Sequence, residues 1–206
     1  RDEGCGPEGY HVFEEKGSVV IGASTDRGWL YGAFELIHQM QMENPFSGLD
    51  VRKEPVMPLR MLNHWDNMDG SIERGYSGNS FFFEKDEILI DERTVTYARL
   101  LASVGINGAV INNVNVKDAA TWLITDRYFD KLRRLSEIFA GYGIKLFLSL
   151  NYAAPVELGQ LDSADPLSED VREWWKRRMQ LVFGQIPDLG GFLIKADSEG
   201  RPGPFT

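Results

Sequence analysis

Glu199 lies in the run Lys195-Ala196-Asp197-Ser198-Glu199-Gly200, just after the apolar stretch 190–194 and just before Pro202, Gly203 and Pro204. The following Gly200, Pro202, Gly203 and Pro204 make a stiffly bent loop, which holds a carboxyl group in a fixed orientation. Cleaving a glycosidic bond requires one carboxyl group to protonate the leaving oxygen and a second carboxylate opposite it. Glu199 has the placement of such an acid. Asp197 is its rival, because two residues of extended chain point the same way. On position alone, a solvated surface carboxylate is the alternative for either. Lys195 sits at the last step of the apolar stretch, where it either snorkels to solvent or needs an anion, from the protein or from a substrate.

Three more apolar runs end in polar clusters: Asn63-His64-Trp65-Asp66-Asn67, Asn112-Asn113-Val114-Asn115 and Asn151-Tyr152. Helix capping and turn formation account for any one of them. Four together suit a polyol, which takes hydrogen bonds at its edge and an aromatic surface beneath its C–H face. Trp65 can be such a surface or a core residue. His64 is one of three histidines and has no partners at metal-ligand spacing, so neither a metal nor another cofactor is expected. Trp174 and Trp175 lie in a helical stretch and are read as packing. No nucleophile elbow, P-loop or dinucleotide fingerprint occurs.

The elements that carry these clusters alternate. Short apolar runs at 59–62, 106–111, 144–150 and 190–194 have the character of parallel strands buried on both faces. Amphipathic helices at 92–104 and 126–142, and a third starting after Ser168, lie between them. This is an α/β chain of about four βα units, and the leading architecture is the first half of a (β/α)8 TIM barrel, whose chemistry gathers at the C-terminal ends of its strands. Residues 1–43 differ. Two β-prone runs (10–13 and 18–21) precede a helix that Thr25 or Asp26 can cap, which suggests the C-terminal part of a small α+β accessory domain. Residues 44–58, with three prolines, read as a linker, leaving 59–206 as the N-terminal half of the barrel.

A formal net charge of −9 opposes nucleic-acid binding, which relies on clustered Lys and Arg. No apolar run reaches the length of a membrane span, so no membrane partner is expected. The single cysteine, Cys5, excludes an intramolecular disulfide. Localisation is open: cytoplasmic placement is favoured, with periplasmic or secreted placement as alternatives, since the chain starts at Arg1 without an initiator Met.

The segment LRMLNHWDNMDGSIERGYSGNSFFF (59–83) strongly resembles the opening of the catalytic barrel in glycoside hydrolase family 67 α-glucuronidases. GGFLIKADSEGRPGPFT (190–206) resembles that family's general-acid strand and loop, and GINGAVINNVNV and RGWLYGAFELIHQMQ fit as well. The resemblance implies a metal-free, inverting enzyme that removes α-1,2-linked glucuronic acid, or its 4-O-methyl ether, from xylooligosaccharides. An aldouronic acid or glucuronoxylan oligosaccharide would be the substrate. Glu199 falls on the family's acid, Lys195 on a contact to the uronic carboxylate, Trp65 on a pocket aromatic and Glu73 on a further pocket position. Inversion needs carboxyl groups about 6.5 to 9.5 Å apart, with water between. The resemblance puts the base beyond Thr206, together with a helical region associated with homodimerisation, so the 206 residues alone are expected to be inactive. Two alternatives are a family 20-like hexosaminidase, which uses an adjacent Asp-Glu pair where this chain has Ser198 between Asp197 and Glu199, and a non-catalytic carbohydrate-binding fragment.

Overall fold

The structure is a computed structural model that describes residues 4–195. Strands β1 (Tyr10–Glu15) and β2 (Ser18–Ala23) form an antiparallel hairpin, and helix α1 (Asp26–Gln41) follows. Thr25 caps α1: its hydroxyl accepts from the Gly28 amide at 3.2 Å, satisfying one of the donors that the first helical turn leaves over. The stretch expected to be a linker contains strand β3 (Asp50–Lys53), which pairs antiparallel with the other edge of β1 and completes the order β2-β1-β3. This three-stranded sheet therefore extends to Lys53. Val51 pairs with the fully buried Val12, while Asp50, Arg52 and Lys53 face solvent. One apolar residue among charges and nearby prolines concealed this edge strand.

Strand β4 (Met61–Asn63) opens a second sheet and is followed by a small hairpin of β5 (Phe83–Glu84) and β6 (Glu87–Ile88). Helix α2 (Glu92–Ser103), strand β7 (Gly108–Val110), a 3-10 turn (Asp118–Ile124), helix α3 (Asp126–Ala140) and strand β8 (Lys145–Leu150) come next. A short helix α4 (Ala154–Glu157), helix α5 (Glu169–Gln185) and strand β9 (Leu189–Ile194) complete the order. The sheet is β4-β7-β8-β9, parallel throughout.

The helix stops lie near the sequence expectations because glycine sets them. Gly105 and Gly143 adopt φ of +78° and +72°, where a side chain is strained. In each case the next residue's amide reaches five residues back, Ile106 to Leu101 and Ile144 to Phe139, which closes the helix and turns the chain into a strand. Between these stops, Phe129, Leu132, Leu135 and Phe139 of α3 are buried against Leu146 and Leu148 of β8. Each such leucine contributes about 1.5–3 kcal/mol by burial. Trp174 and Trp175 pack edge-to-face at 4.9 Å on the outside of the same core.

Burial on both strand faces holds only for the inner strands. Ala109 and Val110 of β7 are almost wholly buried, whereas Leu62 of β4 and Ile194 of β9 are exposed. Those two strands are the sheet's edges among the described residues.

Candidate active site

Every residue singled out for chemistry and described in the structure lies at or beyond the C-terminal edge of the parallel sheet. The segment after β4 is pinned first. His64 donates from Nδ1 to the Val110 carbonyl at 2.7 Å, so Nε2 is left to accept from the Tyr97 hydroxyl at 2.6 Å. Burial holds the His64 pKa below its ordinary value, against the opposing pull of the Val110 carbonyl and the Asp66 charge. The ring is a neutral brace between sheet and α2. Asp66 is buried and accepts from the Ser80 hydroxyl at 2.6 Å and the Phe81 amide at 2.7 Å, tying the far end of the loop back to β4.

The amides beyond β7 divide sharply. Asn112 is fully buried: its Oδ1 accepts from the Ser149 amide, its Nδ2 donates to the Ser149 carbonyl, and its own carbonyl accepts from the Ser149 hydroxyl. It stitches β7 to β8 and has nothing left for a sugar. Asn151 is likewise engaged by Thr121, Glu157 and the Ala153 amide. Two of the amides read from sequence as sugar contacts are thus structural, because the inner strands end inside the core and their polar groups must be paired there.

Asn113, Asn115 and Lys195 behave differently. Asn113 donates to Asn67 Oδ1 at 2.9 Å and accepts from the Asn115 amide at 2.9 Å. Lys195 donates to Asn115 Oδ1 at 2.6 Å. Among the described residues no carboxylate forms an ion pair with Lys195, so the ammonium is held by a neutral oxygen where an anionic partner was expected. An amide acceptor fixes the position of a charge without neutralising it.

A cleft of about 480 Å³ opens between the loop after β4 and the segment after β7, with Glu73, Asp69, Asn115 and Lys117 among its lining residues. Glu73 stands in the left-handed region at φ +58°, and its amide donates to the Trp65 carbonyl at 2.8 Å. Asp69, hydrogen-bonded by the Ser71 amide and hydroxyl, is held below the ordinary carboxylate range and is ionised at neutral pH. Lys195, Glu73 and half-buried Trp65 are therefore linked at one edge of the sheet, while Asp197 and Glu199 lie outside the described residues. Asn67 went unread as a linking residue. Its signal, an asparagine two residues after a tryptophan at a strand end, is common to many turns. Among the described residues no group of three or more His, Cys, Asp or Glu side chains is placed to hold a metal ion.

Residues 39–206 match the family model for the glycosyl hydrolase family 67 middle domain. The chain belongs to that family. It is 46% identical over 200 residues to the probable α-glucuronidase A of Aspergillus terreus and 43% identical over 206 residues to the α-glucuronidase of Hypocrea jecorina. Each alignment covers 97% of this chain, and the chain spans about a quarter of those relatives' length (23% and 24%). Among solved structures, a family 115 4-O-methyl-α-glucuronidase superposes with a TM-score of 0.56 at 15% identity, covering 96% of this chain and 28% of its own. A family 20 exo-β-N-acetylglucosaminidase from Vibrio harveyi gives 0.56 at 11%, covering 94% and 36%. These two similarities concern the fold alone. The family 67 chain thus shares its α/β frame with enzymes of different specificity.

Proposed function

We propose that this chain is the part of an α-glucuronidase that carries the acid and one wall of the sugar pocket. In this proposal its four βα units begin a (β/α)8 barrel, and the enzyme hydrolyses the α-1,2 bond between (4-O-methyl)glucuronic acid and a xylooligosaccharide with inversion. Lys195 receives the uronic carboxylate, Glu73 and Trp65 bound the sugar, and Glu199 protonates the departing xylosyl oxygen. A base carboxylate from outside these 206 residues activates water on the opposite face. The observation that carries the proposal is the Lys195 ammonium. It is oriented by Asn115, itself a lining residue of the polar cleft, yet unpaired with any described carboxylate, in a chain 46% identical to a probable α-glucuronidase.

A family 20-like mechanism gains nothing from the family 67 match, and its adjacent Asp-Glu pair is interrupted here by Ser198. The test is Glu199→Gln in the full-length enzyme. Turnover of an aldouronic acid should fall about a hundredfold or more, whereas an aryl α-glucuronide with a good leaving group, which needs little protonation, should keep most of its rate. Equal loss on both substrates would refute the acid role. Proton NMR of the first-formed product should show the β-anomer, and an α-anomer would refute inversion.

A further inference from the structure

Resting on the reading just given, we infer that Asn113 is a positioning residue that sets Lys195 and Glu73 in mutual register through a relay of three asparagines. The relay is continuous. Lys195 Nζ donates to Asn115 Oδ1 at 2.6 Å, and the Asn115 amide donates to Asn113 Oδ1 at 2.9 Å. Asn113 Nδ2 then donates to Asn67 Oδ1 at 2.9 Å and to the Glu73 carbonyl at 3.3 Å. Asn67 Nδ2 donates to the same Glu73 carbonyl at 3.0 Å. The Glu73 amide closes the path on the Trp65 carbonyl. An ammonium after β9 is thereby connected to a carboxylate-bearing residue in the loop after β4, across the whole width of the sheet.

Three observations favour positioning over mere loop fastening. The loop already has its own fasteners, since Asp66 holds Ser80 and Phe81, and the Ser80 amide reaches the Gly70 carbonyl. Two separate side-chain amides converge instead on one carbonyl, that of Glu73, which lines the cleft in a left-handed conformation that a glutamate seldom adopts. Asn113 is 6% exposed, so solvent does not compete for its amide. The neighbouring Asn112 shows what a purely structural asparagine looks like here, with every bond directed to a single residue of the next strand.

A hydrogen-bond acceptor and a donor are both required at position 113. Asn113→Asp keeps size and the acceptor for the Asn115 amide, but turns a second acceptor toward Asn67 Oδ1 and the Glu73 carbonyl. In the full-length enzyme this change should raise KM for an aldotriouronic acid about 10- to 100-fold, with kcat within about threefold, because the misplaced groups bind ground and transition states alike. Calorimetric affinity for free glucuronic acid should fall by a similar factor. In a Lys195→Ala background the same substitution should have a much smaller effect, since it acts through Lys195. Asn67→Asp, which keeps its acceptor for Asn113 and removes only the donors to Glu73 and Ser71, should give a milder increase in KM.

An unchanged KM with a lowered melting temperature would overturn the inference. So would full additivity with Lys195→Ala, or failure of both aspartate variants to fold, because each marks a role confined to stability. If the unmodified enzyme neither hydrolyses aldouronic acids nor binds glucuronic acid, the functional reading falls and takes the inference with it. An active enzyme indifferent to both variants sinks the relay alone.

Discussion

The two edges of the parallel sheet treat charge in opposite ways. At the N-terminal edge, Glu8 receives Arg27 and Arg60 at 2.5 Å each and the Asn107 amide at 3.1 Å, while Arg60 also donates to the Gly105 and Met57 carbonyls. Glu8 and Arg60 there join the N-terminal unit to the strands, and Lys145 pairs with Asp188 between the starts of β8 and β9. At the C-terminal edge, crossing between strands falls to the neutral amides Asn112, Asn113 and Asn115, and Lys195 is held by an amide oxygen with no ion pair to a described carboxylate. Ion pairs lock an assembly but cancel the field of their members, whereas amides lock geometry and leave the field intact. Under the proposed function, the contrast separates the edge that stabilises from the edge that would receive the uronic carboxylate.

The largest break in that contrast is Glu8→Ala, which strands two guanidinium groups and Asn107 in a mostly enclosed site. Removing one partner of such a cluster should cost about 3 kcal/mol, read as lost hydrogen-exchange protection in β4 and β7, with KM for aldouronic acid unchanged. A changed KM with stability intact would reverse the assignment of the two edges. The cluster also carries a pH signature. Burial pushes the Glu8 carboxyl up, but hydrogen bonds from Asn107, Arg27 and Arg60 outweigh it and hold it below its ordinary value of 4.5. A carboxyl depressed on folding contributes stability that is present above that value and is lost as pH falls below it toward the folded pKa. Glu8→Ala should therefore flatten the acid limb of the stability curve.

The alternation of elements was legible because it rests on short-range physics. Apolar runs of four to seven residues, glycines at helix ends and capping residues such as Thr25 are written locally. What escaped was whatever depended on a partner far along the chain. Strand β3 exists because Val51 meets Val12, and nothing near Val51 announces it. Asn112 and Asn113 are identical neighbours in sequence, yet one is spent on Ser149 and the other joins Asn67 to Asn115. Successive residues of an extended chain point to opposite sides, and only the strands beside them decide what each side meets. Lys195 was placed correctly at the strand end, but its partner proved to be an amide 80 residues away.

His64 gives a smaller test at the boundary between brace and cleft. Half-buried and neutral, it has a pKa lowered from 6.5, so stability that is fully present above that value drains away as pH falls below it toward the folded pKa. The loss precedes that from Glu8 on acidification, because it begins about two pH units higher. NMR titration of the His64 ring should show it titrating below 6.5, with the neutral ring's proton on Nδ1. A ring that titrates at or above 6.5 would show that Tyr97 and Val110 do not enforce the neutral tautomer.

The smallest expected effect lies midway between the edges, where neither logic operates. Ser136 faces the core from α3, and among the described residues its hydroxyl is the one buried side-chain oxygen or nitrogen without a hydrogen-bond partner. A buried hydroxyl pays its desolvation without return, and alanine is the better helix former, so Ser136→Ala should stabilise by about 0.5–1.5 kcal/mol. Since Ser136 takes part in neither the Glu8 cluster nor the asparagine relay, the gain should appear in full in a Glu8→Ala background and leave KM untouched in an Asn113→Asp background. A shortfall in the first background would mean that the ion-paired edge is coupled to the core through α3 rather than through β4 and β7. A shift of KM in the second would mean that core packing, and not the amide chain alone, sets the spacing between Lys195 and Glu73.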